Sequence, residues 1–305
     1  MKLTKPMIKI FARIAKGVRT IEGLKEAEHK SGNWITEVLQ ELEKEGFIIK
    51  KRNYSLRGSR IAIEIANTSH AQKFKETLFQ YPTIRFEEIL ADSRLLFLAA
   101  LSEDWINTKT AAKLSRVSRY IIDRNRPKLK NRGVIIKKNG LYKINERAWP
   151  LLKDFLIAYK NYSTIQGYVK WKFNDEIIFE VDSEKLVQGS ITGFARYCEY
   201  GVKINTIHIL CKLPESKLSK EEIFVHSLFE INDPRTLYLS LVFYLKNKLD
   251  KKKINPIAMK YSRYTMFNNF LKILKSDKNI SIEGLPNFER KDFNRVAGLY
   301  GVKNV

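Results

Sequence analysis

The chain has 305 residues, with 56 Lys and Arg against 33 Asp and Glu and a formal net charge of +23. At 44% hydrophobic and 11% aromatic it can bury full cores, which excludes a disordered polybasic tail. Its longest apolar run, Leu95 to Leu101, is too short to span a bilayer, and no hydrophobic leader follows Met1. The expectation is a cytoplasmic protein without membrane partners, with Cys198 and Cys211 as free thiols. Abundant Lys, Ile, Asn and Tyr fit an A/T-rich genome and an archaeal or thermophile-like composition. Such a bias raises Lys overall but does not gather Lys and Arg into one stretch.

In chain order, residues 6–16 read as a helix, with Met7, Ile10, Phe11 and Ile14 at the spacing of one buried face. Thr20 is placed to cap a second helix. A third runs over residues 33–44, with Trp34, Val38 and Leu42 inward and Gly46 as its stop. Strands are expected at 47–51 and 61–65, joined by a basic loop from Arg52 to Arg60. A helix over 69–79 closes this segment.

The pattern then returns. A helix starting near Phe86 holds Ile89, Leu90, Leu95, Leu96, Leu98 and Ala99. Asn107 or Thr108 caps a short helix, and a turn at 115–118 leads to a third helix over 118–132. Pro127 lies inside that span, so a kink or a one-turn break is expected there. A hairpin follows at 134–137 and 141–144, with Asn139-Gly140 as its turn. A helix over 146–160 leads away.

Composition shifts near Ser163. Strands are expected at 168–173, 177–181, 206–213 and 223–229, and helices at 234–248, 255–259, 266–275 and 292–300. The fold class expected is α+β: residues 1–84 and 85–164 as two small helix-and-hairpin domains, and 165–305 as an α+β domain with a small sheet.

Charge is concentrated in one place. From Lys113 to Lys138 the cations are Lys113, Arg116, Arg119, Arg124, Arg126, Lys128, Lys130, Arg132, Lys137 and Lys138, against the single acid Asp123. A solvated helix normally alternates sign to use i,i+4 pairs. A run of one sign repels itself until phosphates neutralise it and release counterions. Arg116, Arg119, Tyr120, Arg124, Arg126, Lys128, Lys130, Lys137, Lys138 and Asn139 are therefore the candidate contacts to double-stranded DNA. In the first segment the third helix is acidic at Glu37, Glu41, Glu43 and Glu45. Its candidates are Asn33 and Thr36 near the helix start, and Lys50, Lys51, Arg52, Arg57 and Arg60 on the hairpin.

Residues 1–160 resemble tandem winged helix-turn-helix regulators. The first copy is similar to the MarR type in Lys25-Glu26-Ala27, in Trp34 to Leu42 and in Glu45-Gly46-Phe47-Ile48. This resemblance implies a third helix set against the major groove, a wing on the flanking backbone, and transcriptional regulation. Further along, Gly189-Ser190-Ile191-Thr192-Gly193, the later strand, and Asp233-Pro234-Arg235-Thr236-Leu237 resemble the AbiEi-type antitoxins and their degenerate nucleotidyltransferase-like domain. Where that layout wants two alternate aspartates for Mg²⁺, the chain has Thr206 and His208, neither a good ligand for a hard cation. Glu180 and Asp182 are the one alternate acidic pair near the sheet. His29, His70, His208 and His226 show no ligand spacing. The expectation is a non-enzymatic protein without metal or cofactor. It would bind double-stranded DNA as a regulator and use 165–305 for a homodimer, an effector or a protein partner. The rival readings are a replication or plasmid initiator and a nucleotidyltransferase-fold enzyme.

Overall fold

The structure is a computed structural model that describes residues 3–55, 58–162, 165, 167–182 and 186–302; the side chains of 52–60 also lie outside what it describes. It is a mixed α+β chain with small antiparallel sheets. It divides into two compact units: Met1–Glu103 with Ala111–Tyr162, and Asp104–Thr110 with Ser163–Val305.

In the first unit, α1 (Lys5–Ala15), α2 (Ile21–Glu28) and α3 (Gly32–Lys44) precede a hairpin of β1 (Ile48–Ser55) and β2 (Gly58–Ile65), and α4 (Ser69–Gln80) follows. The starts of α2 and α3 have a local cause. The Thr20 hydroxyl accepts from Gly23 N at 3.1 Å and the Ser31 hydroxyl from Trp34 N at 3.4 Å, satisfying donors that a helix start leaves open. After α3 the chain turns at Gly46, whose φ of +74° suits glycine. The hairpin strands are longer than expected and absorb nearly all of the 52–60 loop.

The same order returns. The single helix expected from Phe86 is two: α5 (Phe86–Ile89) and α6 (Ser93–Ala100). Asp92 breaks them with a φ of +58°, a conformation that ends a helix. Both pieces are buried on several sides, so apolar spacing ran through the break. Then come α7 (Thr108–Ser115), α8 (Arg119–Asn131), β3 (Ile135–Lys138), β4 (Leu141–Ile144) and α9 (Pro150–Asn161). Asn107 Oδ1 accepts from Thr110 N at 2.8 Å and Ser118 Oγ from Ile121 N at 3.4 Å. The break expected at Pro127 does not form: α8 runs through it. The proline forgoes one hydrogen bond, and buried Ile122 and Leu129 on either side hold the helix down.

The second unit has a four-stranded antiparallel sheet in the order β5 (Tyr168–Phe173), β6 (Glu176–Val181), β8 (Ile209–Leu213), β7 (Ser190–Thr192). A 3-10 helix, Gly193–Tyr200, follows β7. Helices α10 (Lys220–Ser227), α11 (Pro234–Lys246), α12 (Lys251–Lys260), α13 (Tyr264–Leu274) and α14 (Arg290–Leu299) complete it. The strand expected at 223–229 is instead α10, capped by Ser219, whose hydroxyl accepts from Glu222 N at 3.2 Å. Residues Ile223 to Leu228 are all buried, and a helix buried all round has no amphipathic period to separate it from a buried strand. His226 therefore sits in a helix and not in a strand. His208 precedes β8, which begins at Ile209 rather than at Thr206.

Glycine is required where the 3-10 helix starts. Gly193 has a φ of +65°, and a Cβ there would stand 2.0 Å from Glu230 Oε2. That carboxylate oxygen accepts from Phe194 N at 2.9 Å. Burial, with Glu180 nearby, pushes the Glu230 carboxyl up to about 8. A carboxyl held above its unfolded value lends stability below the unfolded value, and loses it as pH rises through 8. Glu230→Gln keeps the acceptor and removes the titration. It should leave thermal stability unchanged near pH 5 and raise it near pH 8, by on the order of 3 kcal/mol. Parallel melting curves for the two proteins across that range would contradict this.

Candidate nucleic-acid interface

The run of cations lands on α8, on the turn before it and on the hairpin after it. Ile122 and Leu129 bury one stripe of α8. Tyr120, Arg124, Pro127 and Asn131, at the i, i+4, i+7, i+11 spacing of one helix face, are exposed on the opposite side. Tyr120 is 75% exposed, unusual for a tyrosine with no role in a core. Arg116, in the left-handed turn before α8 with a φ of +56°, is also exposed.

On the flank, Asp123 serves two arginines, Arg126 at 2.9 Å and Arg119 at 3.7 Å. Such exposed pairs contribute little to stability, and one acid leaves most of the positive field uncompensated. Arg126 also lies over the Tyr142 ring at 5.3 Å, and Lys137 over the same ring at 5.9 Å. The Arg126 contact ties the hairpin to α8, and the Lys137 contact lies across the hairpin itself. The hairpin turns at Asn139 and Gly140 with φ of +51° and +77°, the signature of a type I′ turn. Lys137, Lys138 and Asn139 are exposed at its tip, as are Lys128 and Lys130 on α8. Arg132 is bound to Glu88 and is the cation of this stretch most clearly turned to a structural use.

The earlier hairpin is different. Lys50 pairs with Glu43 at 2.9 Å and Lys51 with Glu64 at 2.7 Å, so both candidates have acids beside them. The Thr36 hydroxyl donates to Gly32 O at 2.8 Å, a back-bond within its own helix. Asn33 is exposed. Arg57 lies outside the described residues, and so do the side chains of Arg52 and Arg60; the backbone of these two pairs with Ile61 and Asn53 across the ribbon.

In the second unit, strand register assembles a group that residue spacing did not reveal. Glu180 pairs with Leu210 and Val181 with Ile209, so Asp182 and His208 come next along the same ladder. Glu180, Asp182 and His208 each bring one ligand atom within 4.8 Å of the others. The alternation of Glu180 and Asp182 was the signal in the sequence; their meeting with a histidine 26 residues on was not readable. His208 Nδ1 lies 2.7 Å from Asp182 Oδ1, and Glu180 is bound by Lys170 at 2.8 Å. Asp182 and His208 are exposed, and Glu180 is partly buried. His226, by contrast, is wholly buried with Nδ1 2.7 Å from the Thr192 hydroxyl. Burial, with Lys212 and Lys260 nearby, lowers it to about 3, so it stays neutral. Among the described residues no helix is long and apolar enough to cross a membrane. No protein-family model, curated protein or solved structure matches the chain.

Proposed function

We propose that the chain is a sequence-specific double-stranded DNA-binding regulator without catalytic activity, and that the first unit carries two winged helix-turn-helix motifs. One observation carries this reading: ten cations and a single acid between residues 113 and 138, most of them exposed on α8 and the hairpin beside it. A folded body gains nothing from that density, whereas a phosphate backbone turns it into affinity. The exposed line Tyr120, Arg124 and Asn131 suits an edge-reading helix, and the type I′ hairpin suits a wing on the backbone.

The second unit is assigned to a partner, an effector or a second copy of the chain. A phosphoryl-transfer reading rests on Glu180, Asp182 and His208. It is the weaker one, because Glu180 is already bound by Lys170 and Asp182 by His208, Asp182 and His208 are exposed, and such transfer needs a water-excluded, metal-holding pocket.

The test is fluorescence anisotropy of labelled duplex DNA with the purified full chain at low salt. Saturable binding of duplex in preference to single strands of the same sequences is expected. Absence of binding to any duplex would overturn the proposal.

A further inference from the structure

The two halves of the first unit repeat with a fixed offset. Ser118 stands 87 positions after Ser31, and Gly133 87 after Gly46. Both α3 and α8 have 13 residues. The hydrogen bonds that end them correspond: Phe47 N to Leu42 O, and Val134 N to Leu129 O, each 2.9 Å. After the hairpins the offset is 81, because the first hairpin is longer. Both α4 and α9 have 12 residues, and Phe155 stands where Phe74 does and Tyr162 where Tyr81 does.

These equivalent helices pack on each other antiparallel. At the centre Phe74 stacks on Phe155, its own counterpart, with ring centroids 4.6 Å apart. Tyr81, at the end of α4, packs on Trp149 at the start of α9 at 5.0 Å, and its hydroxyl donates to Ala148 O at 3.2 Å. Tyr162, at the end of α9, packs on His70 at 4.5 Å, two positions along α4 from Thr68, the counterpart of Trp149, so the exchange holds to within about half a helical turn. Residue i meeting j while the counterpart of j meets that of i is the mark of a two-fold interface. Here it lies within one chain, with Phe74 and Phe155 on the pseudo-dyad.

The helices α3 and α8 both border the segment from Leu3 to Met7. Leu3 lines a cavity of about 330 Å³ with Arg116, Ser118 and Ile121, and Thr4 and Met7 line one with Glu37 and Gln40. At the outward positions the side chains differ: Tyr120 and Arg124 on α8 correspond to Asn33 and Glu37 on α3. Of the other acids on or beside α3, Glu43 is bound by Lys50 and Glu45 takes the Tyr159 hydroxyl.

Resting on the DNA-binding reading above, we propose that one chain acts as a covalent pseudo-dimer on one duplex site made of two inverted, unlike half-sites. The α8 half carries most of the phosphate grip and prefers guanine opposite Arg124. The α3 half reads through Asn33 and Glu37, side chains suited to adenine and to the cytosine amino group.

The experiment is selection of duplexes from a random pool by the full chain, followed by anisotropy and sedimentation on the recovered site. An imperfect inverted repeat is expected, occupied by one chain. A duplex with only the α8 half should bind about 10²-fold more weakly, since the second contact is gained at high effective concentration. Glu37→Ala, at an exposed position, should relax base preference in one half alone. Recovery of a lone half-site, of a direct repeat, or of a palindrome holding two chains would overturn the inference while leaving DNA binding intact. Failure to bind any duplex would overturn the reading beneath it, and the inference with it.

Discussion

Raising salt from about 50 to about 200 mM should weaken duplex binding by the full chain about 10³-fold, as neutralisation of about six phosphates requires. The count comes from the exposed cations at one surface. Arg116, Arg119, Arg124, Lys128, Lys130, Lys137 and Lys138 are all on α8, its preceding turn or its hairpin, and Asp123 offsets only part of that charge. Each phosphate contact formed releases a condensed counterion, so the plot of log affinity against log salt should be linear and steep. Anisotropy titrations at four or five salt concentrations measure the slope. A flat response would mean that apolar contacts, not phosphates, carry the complex, and the basic face would lose its proposed role.

The second large effect separates the two halves of the first unit. Arg119→Ala with Arg124→Ala should weaken binding by about 10²-fold or more, at about 1–3 kcal/mol for a lost guanine contact plus the loss of phosphate neutralisation. Lys50→Ala with Lys51→Ala should cost roughly threefold or less. Those lysines are paired with Glu43 and Glu64, so less of their charge is offered to a partner. Circular dichroism and melting temperature control for folding; all four side chains are partly or wholly exposed, and surface changes of this kind usually shift stability by under about 0.5 kcal/mol. A larger loss from the lysine pair would move the main interface to the first hairpin.

How much was legible follows from the range of each signal. The helix starts at Thr20 and Ser118 and the turn at Asn139-Gly140 depend on residues one to three positions away, and they stand where the sequence places them, whereas α3 starts one residue earlier than expected, capped by Ser31. The charge run was legible for the same reason. What escaped was set at long range. Residues 223–229 look like a strand because α10 is buried on every side and has no polar face. The break at Asp92 depends on a backbone angle that apolar spacing does not encode. The stacking of Phe74 on Phe155 joins a helix read as closing the first segment to one read as leading away from the second; the fixed offset between caps was present in the sequence, but not the antiparallel fit that gives it meaning. On the candidate surface, the outward direction of Tyr120 and Arg124 follows from helical period. The diversion of Arg132 to Glu88 and of Lys51 to Glu64 needed three-dimensional neighbours. The meeting of Glu180 and Asp182 with His208 likewise depends on strand register.

On this proposal, duplex DNA is held by α8 and the hairpin after it. Amide hydrogen exchange of the full chain, with and without saturating duplex, tests it most directly. Slowed exchange is expected over residues 116–132 and 135–144, with weaker protection near residues 31–37 and little change over 209–274. Protection confined to the second unit, with α8 and its hairpin exchanging as in the free protein, would contradict it.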